Sequence, residues 1–547
     1  MKRLSFALLV LVNFYFAMAR TSTVSNIVPL QSAVNASYAG DTILLADGTY
    51  QNNSIRIATS NITVMAATPG GVYLNGTNEI VITGNYVTFG GFQFTAGSIQ
   101  GIVISVEGNN DVLTHLNFNG YSAQKYITLK GQYDQVTYCN FENKPTSAPI
   151  GNLIHIATRA DETPTYALIR YCSFQHIPGA GGDNGNECIR ITNGTPSTYK
   201  ARAVIEHCFF SNTGAGDSEV ISVKSEENVI RYNTMVNNLD GNFCFRNGNN
   251  NSAYGNFFIN SGGIRIKQAN DIYCYNNYFE NCGNGTVTAP VKYVFVTGSL
   301  VNLNFIHNTF VGGSPIVLDS SSASNTWANN IFKNTSGNLF TGSVAGITFV
   351  GNLYEGTLGV PISTGMQNTN PQLILNANSY YGLSATSPAI NNSSAAYPTL
   401  LNIPDIDDDP TILFDIEGQL RPTSRDIKDI GCDEFSNDMS TKHPLVLCDV
   451  GPSYLCPNSS SSKVLKTDDD LIIVYPNPSN GIFTVKTSLT ISELTIINTL
   501  GETLYSVSNI NQKHPLEINL TTESKGVYSI QLRDEHKHLF TKKIILK

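Results

Sequence analysis

Short apolar strands followed by polar turns recur along most of the chain. Aligning the last large apolar residue of each gives Phe92, Phe118, Phe141, Phe174, Phe210, Met235, Phe258, Phe279, Phe310, Phe332 and Tyr354. The intervals run from 21 to 36 residues, most of them between 21 and 26, which is the length of one coil of a parallel β-helix or of a leucine-rich repeat. The strands are rich in Ile, Val, Phe and Tyr and carry no leucine consensus, which disfavours the second. Two residues before each aligned position runs a further column: Gly90, Leu116, Cys139, Cys172, Cys208, then Asn233, Asn256, Asn277, Asn308, Asn330 and Asn352. Stacked at the strand spacing of about 4.8 Å, inward amides in such a column bond to their equivalents above and below. The three cysteines read as small buried fillers of the same column, since no CxxC spacing supports a metal site.

The ends of the pattern bound the domains. Lys2 and Arg3 precede an apolar run from Leu4 to Phe16, closed by Ala17-Met18-Ala19, so residues 1–19 read as a signal peptide and the chain as exported. An amphipathic stretch from Ile27 to Ser37 predicts a helix capping the open apolar end of the first coil. The expected fold is all-β, a right-handed parallel β-helix over residues 20–435 with an N-terminal helical cap. Residues 436–470, rich in Ser, Asp and Lys, read as a linker, within which Cys448 and Cys456 form the one expected disulfide. Alternating apolar residues over 471–547 predict a small C-terminal β-sandwich. Its motifs, from Val474-Tyr475-Pro476-Asn477-Pro478 to Gly526-Val527-Tyr528-Ser529-Ile530, resemble the C-terminal sorting domain of the bacterial type IX secretion system. That resemblance implies partnership with the secretion machinery and a secreted or outer-surface location.

Composition sharpens this picture. The 547 residues include 33 basic and 42 acidic side chains, a net charge of -9, and only 14% charged residues. A basic nucleic-acid binder and a highly charged disordered chain are both excluded. Nothing after the signal approaches a membrane-spanning length. Against the acidic average stands a local exception. Four strands align by their inward pairs, Ile189/Ile191, Ile221/Val223, Phe243/Phe245 and Ile264/Ile266, which stacks Arg190, Ser222, Cys244 and Arg265 in one outward column and Thr192, Lys224, Arg246 and Lys267 in the next. Five cations on one small face read as a site for an anionic ligand lying across the coils, the alternative being a solvated basic face with acidic neighbours. Just upstream lie Asp183, Asn184, Asn186, Glu187, Asp217 and Glu219, oxygen groups suited to Ca²⁺. Asp217 and Glu219 alternatively form a hydrolase acid/base pair or neutralise Arg190 and Lys224.

The ordered motifs Asn184-Gly185-Asn186-Glu187-Cys188-Ile189-Arg190-Ile191, Glu219-Val220-Ile221-Ser222-Val223-Lys224-Ser225, Phe245-Arg246-Asn247-Gly248-Asn249 and Gly262-Gly263-Ile264-Arg265-Ile266 resemble the signature of polysaccharide lyase family 6, which contains alginate lyases and chondroitinase B. The resemblance spans about residues 25–435. It implies β-elimination on an anionic polysaccharide, alginate or alternatively dermatan or chondroitin sulfate, with Lys224 as Brønsted base and Arg246 as Brønsted acid. It also implies Ca²⁺ on Asn184, Asp217 and Glu219, with Arg190, Arg265 and Lys267 holding neighbouring uronates. Asn247 stands where the family usually has histidine, and Asp217 where glutamate is usual. Outside the family, a β-helix glycoside hydrolase and a non-catalytic glycan adhesin remain as other classes.

Overall fold

The computed structural model describes residues 19–456, apart from 181–184, 196–197, 215–217, 286–287, 299, 408, 410 and 437–439, together with most of 472–547. Residues 1–18, nearly all of the expected signal peptide of residues 1–19, the sequence from 457 to 471, and Asn184 and Asp217 lie outside the described residues.

Three parallel sheets of 14, 12 and 14 strands form the body. The chain visits the second, first and third sheets in turn, as in Ser54–Ile57, Thr63–Ala66 and Val72–Asn75, and returns one coil further on at Glu79–Ile82. The helix Ile27–Asn35 begins at Asn26, whose side chain accepts the Ile27 N–H, and buries Leu30 and Val34 over the first coil. Apolar rings stack along the interior in register, with centroid separations of 4.9 Å for Phe141–Phe174 and 4.5 Å for Phe279–Phe310. At the start of the aligned series Phe118 pairs with Phe94 and not with Phe92. Both phenylalanines satisfy the alternation. The bend at Gly91, at φ +79°, sets the register, because the residue before the second column is left-handed coil after coil, as at Tyr232 and Gly255.

The second column is a continuous amide ladder. The backbone N–H of Asn233 donates to Asn256 Oδ1 at 3.0 Å, that of Asn256 to Asn277 Oδ1 at 3.1 Å, and the series continues through Asn308 and Asn330 to Asn352. Each Nδ2 also bonds to the next amide oxygen and to an interior carbonyl, for Asn256 those of Ile230 and Tyr254. Upstream, Cys139, Cys172 and Cys208 are buried free thiols in the same column. At another corner, carboxylates do the same work: Asp111 accepts from the Val87 N–H at 2.7 Å, and Asp134 from the Asp111 N–H at 3.1 Å. Burial pushes the Asp111 carboxyl up to about 7 and that of Asp134 well above its ordinary range.

After its last coil the chain turns back along the outside. Tyr397, Leu400, Ile403, Ile406 and Ile412 cover the outer face of the first sheet. Tyr380, Ile416 and Cys432 pack on Phe257 and Tyr278 of the third. Within the expected linker, residues 440–456 are also laid on the solenoid: Leu445 donates to Thr234, Gly451 to the Tyr171 carbonyl, and the Tyr454 hydroxyl to the His115 carbonyl at 3.0 Å. The disulfide Cys448–Cys456 closes this strap. Backbone hydrogen bonds and one inserted tyrosine hold it, which a polar composition does not reveal. In the C-terminal module, antiparallel sheets of three and four strands share a core of Phe483, Val485, Leu494, Ile496, Ile518, Ile530 and Ile544. Among the described residues, no helix is long and apolar enough to cross a membrane.

Asn256→Ala strips the ladder of an acceptor used by two donors of Asn233 and is expected to cost about 3 kcal/mol, read as a lowered denaturation midpoint. Asp111 has its folded pKa raised above its unfolded value. Its favourable contribution is therefore present in acid and lost as pH rises towards 7. Asp111→Asn should raise the melting temperature more at pH 8 than at pH 4.

Candidate active site

With the first and third sheets wrapped, the second sheet is the face that carries the cations. Its register places Arg190 opposite Ser222, Ser222 opposite Cys244 and Cys244 opposite Arg265, with Arg246 opposite Lys267 in the next row. Thr192 donates its hydroxyl to the Lys224 carbonyl at 3.0 Å, which joins Lys224 to that second row. The expected columns are thus adjacent in space. Ser222 and Cys244 are fully buried in the middle of the face, while Arg190, Arg246 and Lys267 keep partial exposure.

The central row is longer than the sequence reading allowed. His155 pairs with Arg190 on one side, and Lys292 with Arg265 on the other. Lys125, one coil beyond His155, places its Nζ 3.0 Å from His155 Nδ1. The triplets Ile154-His155-Ile156 and Val291-Lys292-Tyr293, each a basic-type residue between two apolar ones, repeat the pattern of Ile189-Arg190-Ile191 and carry the signal that extends the row.

Two positions before the inward pair Ile189/Ile221 come Glu187 and Glu219, both buried. Glu219 forms an ion pair with Arg246, and its charge also raises the proton affinity of Lys224. Its Oε1 lies 3.1 Å from Arg246 Nη1, and its Oε2 accepts from the Ser222 hydroxyl. Because the Glu219 side chain is fully buried, this pair is desolvated on the acidic side and fixes where the guanidinium sits. Glu187 Oε2 accepts from Asn152 at 2.5 Å, whereas its Oε1 has no hydrogen-bond partner among the described residues.

Lys224 is buried, with 5% exposure. Gly194, at φ +81°, brings its backbone so close that an added Cβ would stand 3.4 Å from Lys224 Cβ. Burial lowers the Lys224 pKa first, Arg190 and Arg246 lower it further, and Glu219 and Glu187 oppose them. A buried amine among guanidinium groups holds its proton weakly, which is the property a general base needs.

Of the three residues expected to hold Ca²⁺, only Glu219 is described. Among the described residues, no three His, Cys, Asp or Glu side chains are grouped to hold a metal. The chemistry of the donor set nevertheless fits a hard cation: Glu219 presents oxygen, Asn184 and Asp217 carry oxygen donors in sequence, and the Glu187 Oε1 without a partner belongs to the same row.

A parallel β-helix with a cationic groove across successive coils is the architecture of a polysaccharide lyase. Residues 24–304, just over half of the chain, match the chondroitinase B family model, and the chain belongs to that family. Residues 473–547 match the secretion system C-terminal sorting domain, which marks the chain for secretion or outer-surface attachment. Among solved structures, the PL6 family alginate lyase AlyGC is 20% identical with a TM-score of 0.59, covering 67% of this chain. Alginate lyase AlyF-OU02 is 18% identical with a TM-score of 0.55, over 69% of this chain and 92% of its own. A mannuronic acid specific family 6 lyase from human gut microbiota is 21% identical with a TM-score of 0.52, over 62% and 86% of the two chains. The chain spans about 55% of the length of AlyGC. These likenesses carry the fold. No curated protein sequence matches the chain.

Proposed function

We propose that the protein cleaves a polyuronate, alginate, by β-elimination. The observation that carries this reading is Lys224, a buried amine of lowered pKa set between Arg190 and Arg246 in the cationic groove. In the proposed reaction its neutral amine takes the C5 proton of a uronate residue. The C5–H electrons form the C4–C5 double bond, the C4–O bond breaks, and the glycosidic oxygen takes a proton. Arg246, steadied by Glu219, hydrogen-bonds that oxygen as charge develops. Arg190, Arg265 and Lys267 hold the carboxylates of flanking residues. Asn184, Asp217 and Glu219 would hold Ca²⁺, which when bound offsets the charge that builds on the C5 carboxylate. The three solved lyases named above are described as acting on alginate or mannuronate, and this supports alginate over dermatan sulfate as substrate.

The test is the ultraviolet absorbance of unsaturated uronate ends on alginate, its block-enriched fractions and dermatan sulfate. New reducing ends without that absorbance would mean hydrolysis, and binding without cleavage would mean an adhesin. Lys224→Ala should lose about 10²–10⁴-fold in kcat. Because the base works deprotonated, wild-type activity should rise with pH through an inflection below the ordinary lysine value of about 10.4. Chelation followed by Ca²⁺ add-back reports on the metal, and unchanged activity after chelation would remove it from the mechanism.

A further inference from the structure

Upstream of Lys224, at the level of strands Ser122–Leu129, Ile154–Ile156 and Ile189–Ile191, the second sheet holds a cavity of about 250 Å³. This is of the size that suits one sugar unit rather than a long ligand. Its lining includes Lys125, Arg190, Asn152, Asn193 and Gly151, with Ile150 at its edge. Ile150 is 62% exposed and lies in the connection between strands Asn140–Glu142 and Ile154–Ile156.

The cavity is cationic for a structural reason. Lys125 is drawn to His155 at 3.0 Å, and His155 is buried. Burial, then Lys125 and Arg190, hold the imidazole pKa down at about 3. The ring therefore stays neutral and can accept from the Lys125 ammonium while adding no charge. Glu187, the acid in the lining, is turned towards Asn152 and fully buried. Burial lowers the Lys125 pKa first, Arg190 and then Lys130 lower it further, and Glu187 opposes them, so Lys125 and Arg190 feel each other's charge. Two cations and one buried carboxylate around a cavity of this size leave a net positive charge, which an entering anion compensates.

The cavity also stands where the row of cations ends. One coil further towards the N-terminus the row position is Ser105, which donates to Glu107, and Glu107 pairs with Lys130 at 2.7 Å. At the other end the row passes from Arg265 to Lys292 and then to Val317. A polyanion therefore meets a positive track of limited length with an acidic side chain beyond it.

We propose that this cavity is the terminal subsite of the groove, where Lys125 and Arg190 take the carboxylate of a uronate residue two or three units from the bond that is cleaved. The inference rests on the reading of the chain as a polyuronate lyase. One hexuronate residue advances along its chain by about the strand spacing, so a bound oligomer reaches the cavity only when it is long enough.

The experiment uses the full chain and purified oligouronates of defined length, from the shortest cleaved to the hexamer. Initial rates are measured for wild type, Lys125→Ala and Lys125→Arg. Lys125→Ala should raise KM for the hexamer about tenfold more than for the shortest oligomer, and Lys125→Arg should recover most of that difference. Equal effects at every length, or none, would overturn the terminal subsite. Calorimetric binding of the hexamer to Lys224→Ala, with and without Lys125→Ala, reads the same contact without turnover. Weaker binding in the double variant supports the subsite even if no polyuronate is cleaved, and that inactivity would overturn the proposed function alone.

Discussion

The coil-to-coil hydrogen bond is the interaction on which everything else depends. Each asparagine of the ladder accepts from the coil before it and donates to an interior carbonyl, so a bend buried at 0% exposure keeps its backbone groups satisfied. A slip of one residue would turn every side chain of a strand to the opposite face. The ladder, with the stacked phenylalanines beside it, makes such a slip costly at each coil independently.

That constraint also fixes the chemistry. Outward side chains of one column are set about 5 Å apart by the backbone spacing itself. Lys224, Arg246 and Lys267 occupy consecutive coils without a helix or a flexible loop to hold them. What the repeat does not supply is selectivity along the row. The departures from the repeat there are the left-handed Gly194 packed against Lys224, the Glu219 carboxylate that anchors Arg246, and Ile150 at the edge of the cavity.

The periodic parts of the molecule were legible because periodicity is written residue by residue. The asparagine column, the inward pairs and the two outward rows could be aligned before any coordinates, as could the capping helix and the disulfide Cys448–Cys456. Three things escaped. Phe92 and Phe94 fit the alternation equally well, and only the left-handed bend at Gly91 separates them. Lys125 and His155 lie before the first motif that drew notice, although Ile154-His155-Ile156 repeats its pattern. The strap at 440–456 is held by contacts to residues hundreds of positions earlier, such as Tyr454 to His115, and no local pattern encodes these.

The returning C-terminal cover has a kinetic meaning. A solenoid alone is a chain of near-neighbour contacts and can grow coil by coil. Segments 397–412 and 440–456 dock on coils made long before them, as Ile406 does on Arg231 and Tyr454 on His115. Such closures carry a large loop entropy and come late. Until the last part of the catalytic domain has been made, the apolar outer residues of two sheets, Leu168, Val204, Phe257 and Tyr278 among them, have no cover. The sticky stage of folding therefore falls between completion of the coils and the docking of the returning segment that runs from Tyr380 to Cys432.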